Sequence, residues 1–148
     1  MAGLSDLYQE ILLEHNSKPR NFKTVDDANH TADGYNPLCG DQITLYLKVV
    51  DGVINDVGFQ GTGCAISRAS ASMMTQSIKG QTVEKAKEIF DAFHHMITEP
   101  GGELDLDILG DLETLSGINE FPTRIKCAVL AWHTMNAALA GESEVTTE

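Results

Sequence analysis

Two periods divide the chain. From Gln42 onward Ile43, Leu45, Leu47 and Val49 alternate with Thr44, Tyr46 and Lys48, the period of a half-buried strand. Asp51-Gly52, the dipeptide favoured in a two-residue type I′ turn, comes next, and Val53, Asn55, Val57 and Phe59 resume the alternation. A β-hairpin is predicted. Ahead of it, Leu4, Leu7, Tyr8, Ile11, Leu12 and His15 recur at helical spacing behind Ser5 or Asp6, and Pro19 closes that helix. Residues 16–35 carry turn formers and little periodicity; they read as surface wrapping, with room for one short strand.

After the hairpin the period changes to that of helices. Gly61-Thr62-Gly63 breaks the second strand, and Ile66, Ala69, Met73 and Ser77 form one stripe from Cys64 to Gly80. Thr82 can cap a helix whose apolar face is Val83, Ala86, Ile89, Phe90, Phe93 and Ile97, ended by Pro100-Gly101-Gly102. Pro122 or Thr123 opens a last helix lined by Ile125, Val129, Trp132, Met135 and Leu139 and ended by Gly141. Between Glu99 and Glu120 there is no Lys or Arg, and acidic residues interleave with Leu104, Leu106, Ile108, Leu109, Leu112 and Leu115. This is an acidic, partly buried connection, with a short helix expected behind Asp111. Residues 1–141 form one domain and 142–148 a flexible acidic tail. Helix, strands, then helices describe an α+β fold with a small antiparallel sheet covered on one face.

Composition narrows the function. A length of 148 residues fits a single domain. The 10 Lys+Arg against 22 Asp+Glu give a net charge of −12, which repels polyanions and argues against nucleic acid. No apolar run reaches the roughly 18 residues of a membrane span, and the N-terminus has no basic stretch before an apolar block. A cytoplasmic protein without a membrane partner is expected. Three cysteines are too few and too odd in number for a disulfide framework, so reduced thiols are expected.

Each of those cysteines sits where the backbone turns. Cys39 lies in Asn36-Pro37-Leu38-Cys39-Gly40-Asp41, Cys64 follows Gly63 at a helix start, and Cys127 falls in the expected first turn of the last helix. Helix N-termini favour thiolate. Gly40 lets Cys39 and Asp41 reach one point, so Cys39, Asp41, Cys64 and Cys127 make a candidate four-ligand set. Three thiolates and a carboxylate suit zinc, or iron–sulfur chemistry, over magnesium or calcium. Arg68, Arg124 and Lys126 stand near in sequence to offset the negative charge. By spacing alone the pattern is open: dispersed cysteines equally fit small buried apolar side chains.

The residues themselves resemble a family. Asn36-Pro37-Leu38-Cys39-Gly40-Asp41, Gly61-Thr62-Gly63-Cys64-Ala65-Ile66-Ser67, Ser70-Ala71-Ser72-Met73-Met74 and Phe121-Pro122-Thr123-Arg124-Ile125-Lys126-Cys127 look like signatures of the IscU-like (NifU N-terminal) iron–sulfur cluster assembly family, and within it of the SufU-type branch. His15-Asn16-Ser17-Lys18-Pro19-Arg20-Asn21 looks like the family's N-terminal region. The resemblance implies a three-stranded antiparallel sheet packed against helices, and zinc on Cys39, Asp41, Cys64 and Cys127.

It further implies sulfur relay. Lys126 stands where scaffold members have histidine, the scaffolds' Leu-Pro-Pro-Val-Lys chaperone segment is absent, and the acidic stretch resembles an insertion of the sulfur-acceptor branch. A pyridoxal-phosphate-dependent cysteine desulfurase, SufS-like, would present a persulfide to Cys39, and Suf assembly proteins would receive the sulfur. Cys39 is the mobile acceptor, since its loop is flanked by Pro and Gly; Asp41 is its neighbour, and Arg124, three residues before Cys127, shares its helical face. Two alternatives are a scaffold on which an iron–sulfur cluster is built and a zinc-stabilised interaction module.

Overall fold

Two hairpins end to end organise the molecule, a computed structural model that describes residues 2–99 and 103–147. Strand β1 (His30–Asn36) pairs antiparallel with β2 (Asp41–Val50), which pairs antiparallel with β3 (Val53–Thr62). The β2–β3 turn is the expected one: Asp51 and Gly52 both have positive φ, 53° and 77°, as a type I′ turn requires. β1 is the short strand for which residues 16–35 left room.

The sheet has four strands rather than three, in the order β3-β2-β1-β4. β4 (Glu144–Thr146) runs parallel to β1, with Gly34 opposite Val145. The expected flexible tail is therefore partly a strand. Its physical reason is the open edge of β1, whose backbone groups need partners. Asp33 N–H bonds Ser143 O at 2.8 Å and Thr147 N–H bonds Tyr35 O at 3.0 Å.

Alternation on β2 holds, with Ile43, Leu45 and Leu47 buried. On β3 it slips. Lys48 faces Asp56 and Val49 faces Ile54, so Asn55 is an extra residue in a β-bulge. Ile54 is buried in place of the expected Val53 and Asn55 positions.

Among the described residues there are five α-helices, of which α2 and α5 pack on the sheet. α1 (Ala2–Ser17) starts ahead of the expected Ser5 or Asp6 cap; the side chains of Leu4, Leu7 and Tyr8 lie outside the described residues, as do Pro100-Gly101-Gly102. α2 (Ala65–Ile78) begins at its Cys64 cap, and α3 (Val83–Thr98) is capped by Thr82, whose side chain accepts from Lys85 N–H. α4 (Leu106–Leu109) is capped by Asp105 rather than Asp111 and runs into a 3₁₀ segment, Gly110–Glu120. α5 (Pro122–Leu139) has Pro122 in its first turn, where the missing N–H costs nothing.

α2 and α5 form the centre, buried on nearly every side. Trp132 is fully buried and stacks on Phe93 with centroids 4.7 Å apart. Ser70 bridges the two central helices: it donates to Ala128 O at 2.6 Å and accepts from Trp132 Nε1 at 3.2 Å. Among the described residues no helix is long and apolar enough to cross a membrane.

Candidate metal centre

The site is assembled at one end of the sheet from three separate junctions. Cys39 stands on the tip of the β1–β2 hairpin, in a turn closed by Cys39 N–H to Asn36 O at 3.3 Å and followed by Gly40 at φ 73°. Asp41 opens β2 directly opposite Asn36. Cys64 follows β3 as the cap of α2, its sulfur accepting from Ser67 N–H at 3.4 Å. Cys127 comes from α5.

Cys39 Sγ, a carboxylate oxygen of Asp41 and Cys127 Sγ all lie within 4.8 Å of one another. Cys127 Sγ and Cys39 Sγ are 3.5 Å apart. Asp41 and Cys127 are buried, whereas Cys39 and Cys64 are exposed. Three of the four expected ligands thus converge. The Cys64 thiol is not within that 4.8 Å group; Cys64 is tied to the site by its backbone N–H, which donates to Asp41 Oδ1 at 2.9 Å.

Asp41 is 2 % exposed and, among the described residues, has no cationic partner. A bare buried carboxylate is costly, so its donors matter. It has the Cys64 N–H and, at 3.0 Å on Oδ2, the side-chain amide of Asn36. Gly63 makes room for it: a Cβ there would stand 2.7 Å from Asp41 Oδ1.

One expectation is corrected. Cys127 lies in the second turn of α5, not the first, and its thiol donates back to Thr123 O at 3.5 Å. There the free N–H groups of the helix start are out of reach. Burial, and then bonds with Asp41, Cys64 and Cys39, push the Cys127 thiol up from its ordinary value. With two thiols and a carboxylate crowded on it, the Cys127 thiol resists ionisation until a cation offsets them. Their sulfur-rich, oxygen-poor donor set fits zinc.

Arg124 is exposed and lies over the Phe121 ring, 4.4 Å from its centroid, and Arg68 lies over Phe22 at 5.3 Å. Among the described residues neither donates to the cysteines. The residue that sequence reasoning missed is Asn36. Its amide reaches both Asp41 and, at 3.6 Å, Cys127 Sγ; its place opposite Asp41 across a tight turn was the available signal.

The histidines stay out of the site. His15 is buried and bonded to Ser72 Oγ at 2.7 Å, His95 pairs with Glu99, and His94 and His133 sit against Phe90.

The profile of the NifU-like N terminal domain matches residues 7–128. The chain belongs to the NifU-like N-terminal domain family. It is 43% identical over 142 residues to the zinc-dependent sulfurtransferase SufU of Bacillus subtilis, covering 95% of both chains. It is 40% identical over 133 residues to the iron–sulfur cluster assembly scaffold protein IscU of Thermotoga maritima, covering 90% of this chain and 92% of that one. A crystal structure of an iron–sulfur cluster assembly scaffold protein for the SUF system from Fervidobacterium islandicum superposes with a TM-score of 0.82 at 33% identity, over 88% of this chain and 94% of that one. The α+β architecture expected from the sequence is the architecture of this NifU-like family.

Proposed function

We propose that this protein accepts persulfide sulfur on Cys39, at a zinc centre held by Cys39, Asp41, Cys64 and Cys127, and relays it into iron–sulfur cluster assembly. One observation carries the reading: Asp41 and Cys127 are buried anchors, while Cys39, within 4.8 Å of both, stands exposed on a hairpin tip. Such an arrangement keeps two donors fixed and gives the third access to a partner. The SufU relative's name, with its zinc dependence and sulfur transfer, supports the same assignment.

Bound zinc supplies positive charge that holds these sulfurs as thiolates near neutral pH. The donor is a pyridoxal-phosphate-dependent cysteine desulfurase of the SufS type carrying a cysteine persulfide. The Cys39 thiolate attacks its outer sulfur; a bond forms between the two, the donor's S–S bond breaks, and the donor cysteine leaves as thiolate. Cys39 then carries the persulfide, with its proton, and no external oxidant or reductant is needed. Arg124, exposed near the start of the helix that holds Cys127, is assigned to meet the incoming anionic group. Suf assembly proteins take the sulfur onward.

The test pairs metal analysis of the purified protein with a cysteine desulfurase assay. A colourless zinc protein should raise cysteine-dependent alanine release, and Cys39→Ala should abolish that while keeping part of the zinc affinity. Undiminished stimulation by Cys39→Ala overturns the relay. A second reading, the cluster scaffold, is favoured by the 40% identity to an IscU scaffold; it requires iron and sulfide in a brown protein after anaerobic reconstitution.

A further inference from the structure

Asn36 is fully buried, so every polar atom of its amide needs a partner. The amide nitrogen has two hydrogens. One meets Asp41 Oδ2 at 3.0 Å and the other Cys127 Sγ at 3.6 Å. The amide nitrogen thus faces the ligands, and Oδ1 is turned the other way. There the Thr147 hydroxyl donates to Oδ1 at 3.0 Å. Thr147 is held in reach because its own N–H bonds Tyr35 O and because β4 is seated along β1. The tail also lies beside the acceptor loop, in a groove of about 350 Å³ lined by Asn36, Pro37, Leu38, Lys126 and Thr147.

Taking the zinc reading above as its basis, we propose that Asn36 is a positioning residue of the metal centre, oriented by the C-terminal strand through Thr147. The amide serves the two buried donors, Asp41 and Cys127, whose negative charge it shares. Cys39 Sγ lies 3.5 Å from Cys127 Sγ, and among the described residues it receives no bond from this amide. The ligands are thereby unequal: the anchors are hydrogen-bonded in place, and the exposed sulfur is left the easiest to release. A donor that orients a ligand in this way commonly changes metal affinity by about 10–100-fold.

The experiment measures zinc affinity by competition with a chromophoric chelator, using the full chain, alongside melting of the metal-free proteins. Asn36→Asp puts a carboxylate against Asp41 and Cys127 and is expected to weaken zinc by about 10–100-fold. Thr147→Val, a change of nearly equal shape at a half-buried position, is expected to weaken it by about 3–10-fold with metal-free melting unchanged, and Thr147→Ser to restore it. Unchanged affinity in both Asn36→Asp and Thr147→Val overturns the proposal, as does a loss in Thr147→Val that metal-free melting shares in full. If the unmodified chain takes up no zinc, the metal centre itself is overturned, and this inference with it.

Discussion

At the scale of single residues, the site is built by exclusion of volume as much as by donors. Gly63 has no Cβ because Asp41 Oδ1 occupies the space, 2.7 Å from where that atom would be. Gly63→Ala must push either the carboxylate or the β3–α2 junction aside, and is expected to lower zinc affinity by about tenfold, read by chelator competition. Away from the site, His15 makes the fold acid-sensitive. Burial, and then Arg20, hold its imidazole below the ordinary value of 6.5, and burial and His94 do the same to His133. The unfolded chain therefore takes up protons at a higher pH than the folded one. Stability from this source is full above about pH 6.5 and is lost as pH falls through the folded values. The melting temperature of metal-free protein should fall from pH 7.5 to 5.5, with a shallower slope in His15→Asn. Of the four candidate ligands, Cys39 in the β1–β2 turn and Cys64 at the α2 cap stand where the sequence shows the backbone changing direction, whereas Cys127 lies inside α5. Asn36 was hidden because an Asn before Pro reads first as a turn former.

At the scale of elements, the 3₁₀ segment shows what periodicity can miss. Leu109, Leu112, Leu115 and Ile118 are all buried, at a spacing of three, which is the repeat of a 3₁₀ helix with its eclipsed side chains. A reading tuned to 3.6 sees only scattered leucines in an acidic stretch. Leu115→Ala should cost about 2–5 kcal/mol in denaturant unfolding, whereas exposed Leu106→Ala should cost little. α3 and the β2–β3 hairpin were readable because one face is apolar and the other polar. The span of α2 was readable as well, but its burial on nearly every side was not, since much of its interior is Ser, Thr and Ala: Ser70, Ser72 and Thr75 are buried with hydroxyls bonded to Ala128 O, His15 and Ser72 O. Polar side chains hide burial from a hydrophobicity pattern when each finds a partner. Likewise the Asn55 bulge shifts strand parity by one residue, a change no alternation rule anticipates.

At the scale of the whole molecule, the two ends of the sheet differ in what holds them. The β2–β3 end is closed by the Asp51-Gly52 turn, by Val83 N–H to Gly52 O at 2.9 Å and Gly80 N–H to Ile54 O at 2.8 Å, and by the Asn29 side chain, whose Oδ1 accepts from Val49 N–H at 2.8 Å. The opposite end joins the β1–β2 tip, the β3–α2 junction and α5 through Cys39, Asp41, Cys64 and Cys127. On the zinc reading proposed above, one ion would cross-link these three segments, and metal binding to the folded state adds its free energy to folding. Chelation should therefore lower the melting temperature and act unevenly. Amide hydrogen exchange should speed up at residues 36–41, 64–67 and 123–127 and stay unchanged at 51–54, because only the first three segments lose a shared anchor. Uniform acceleration along the sheet would instead mean that the cysteines stabilise the fold by packing, with no localised centre.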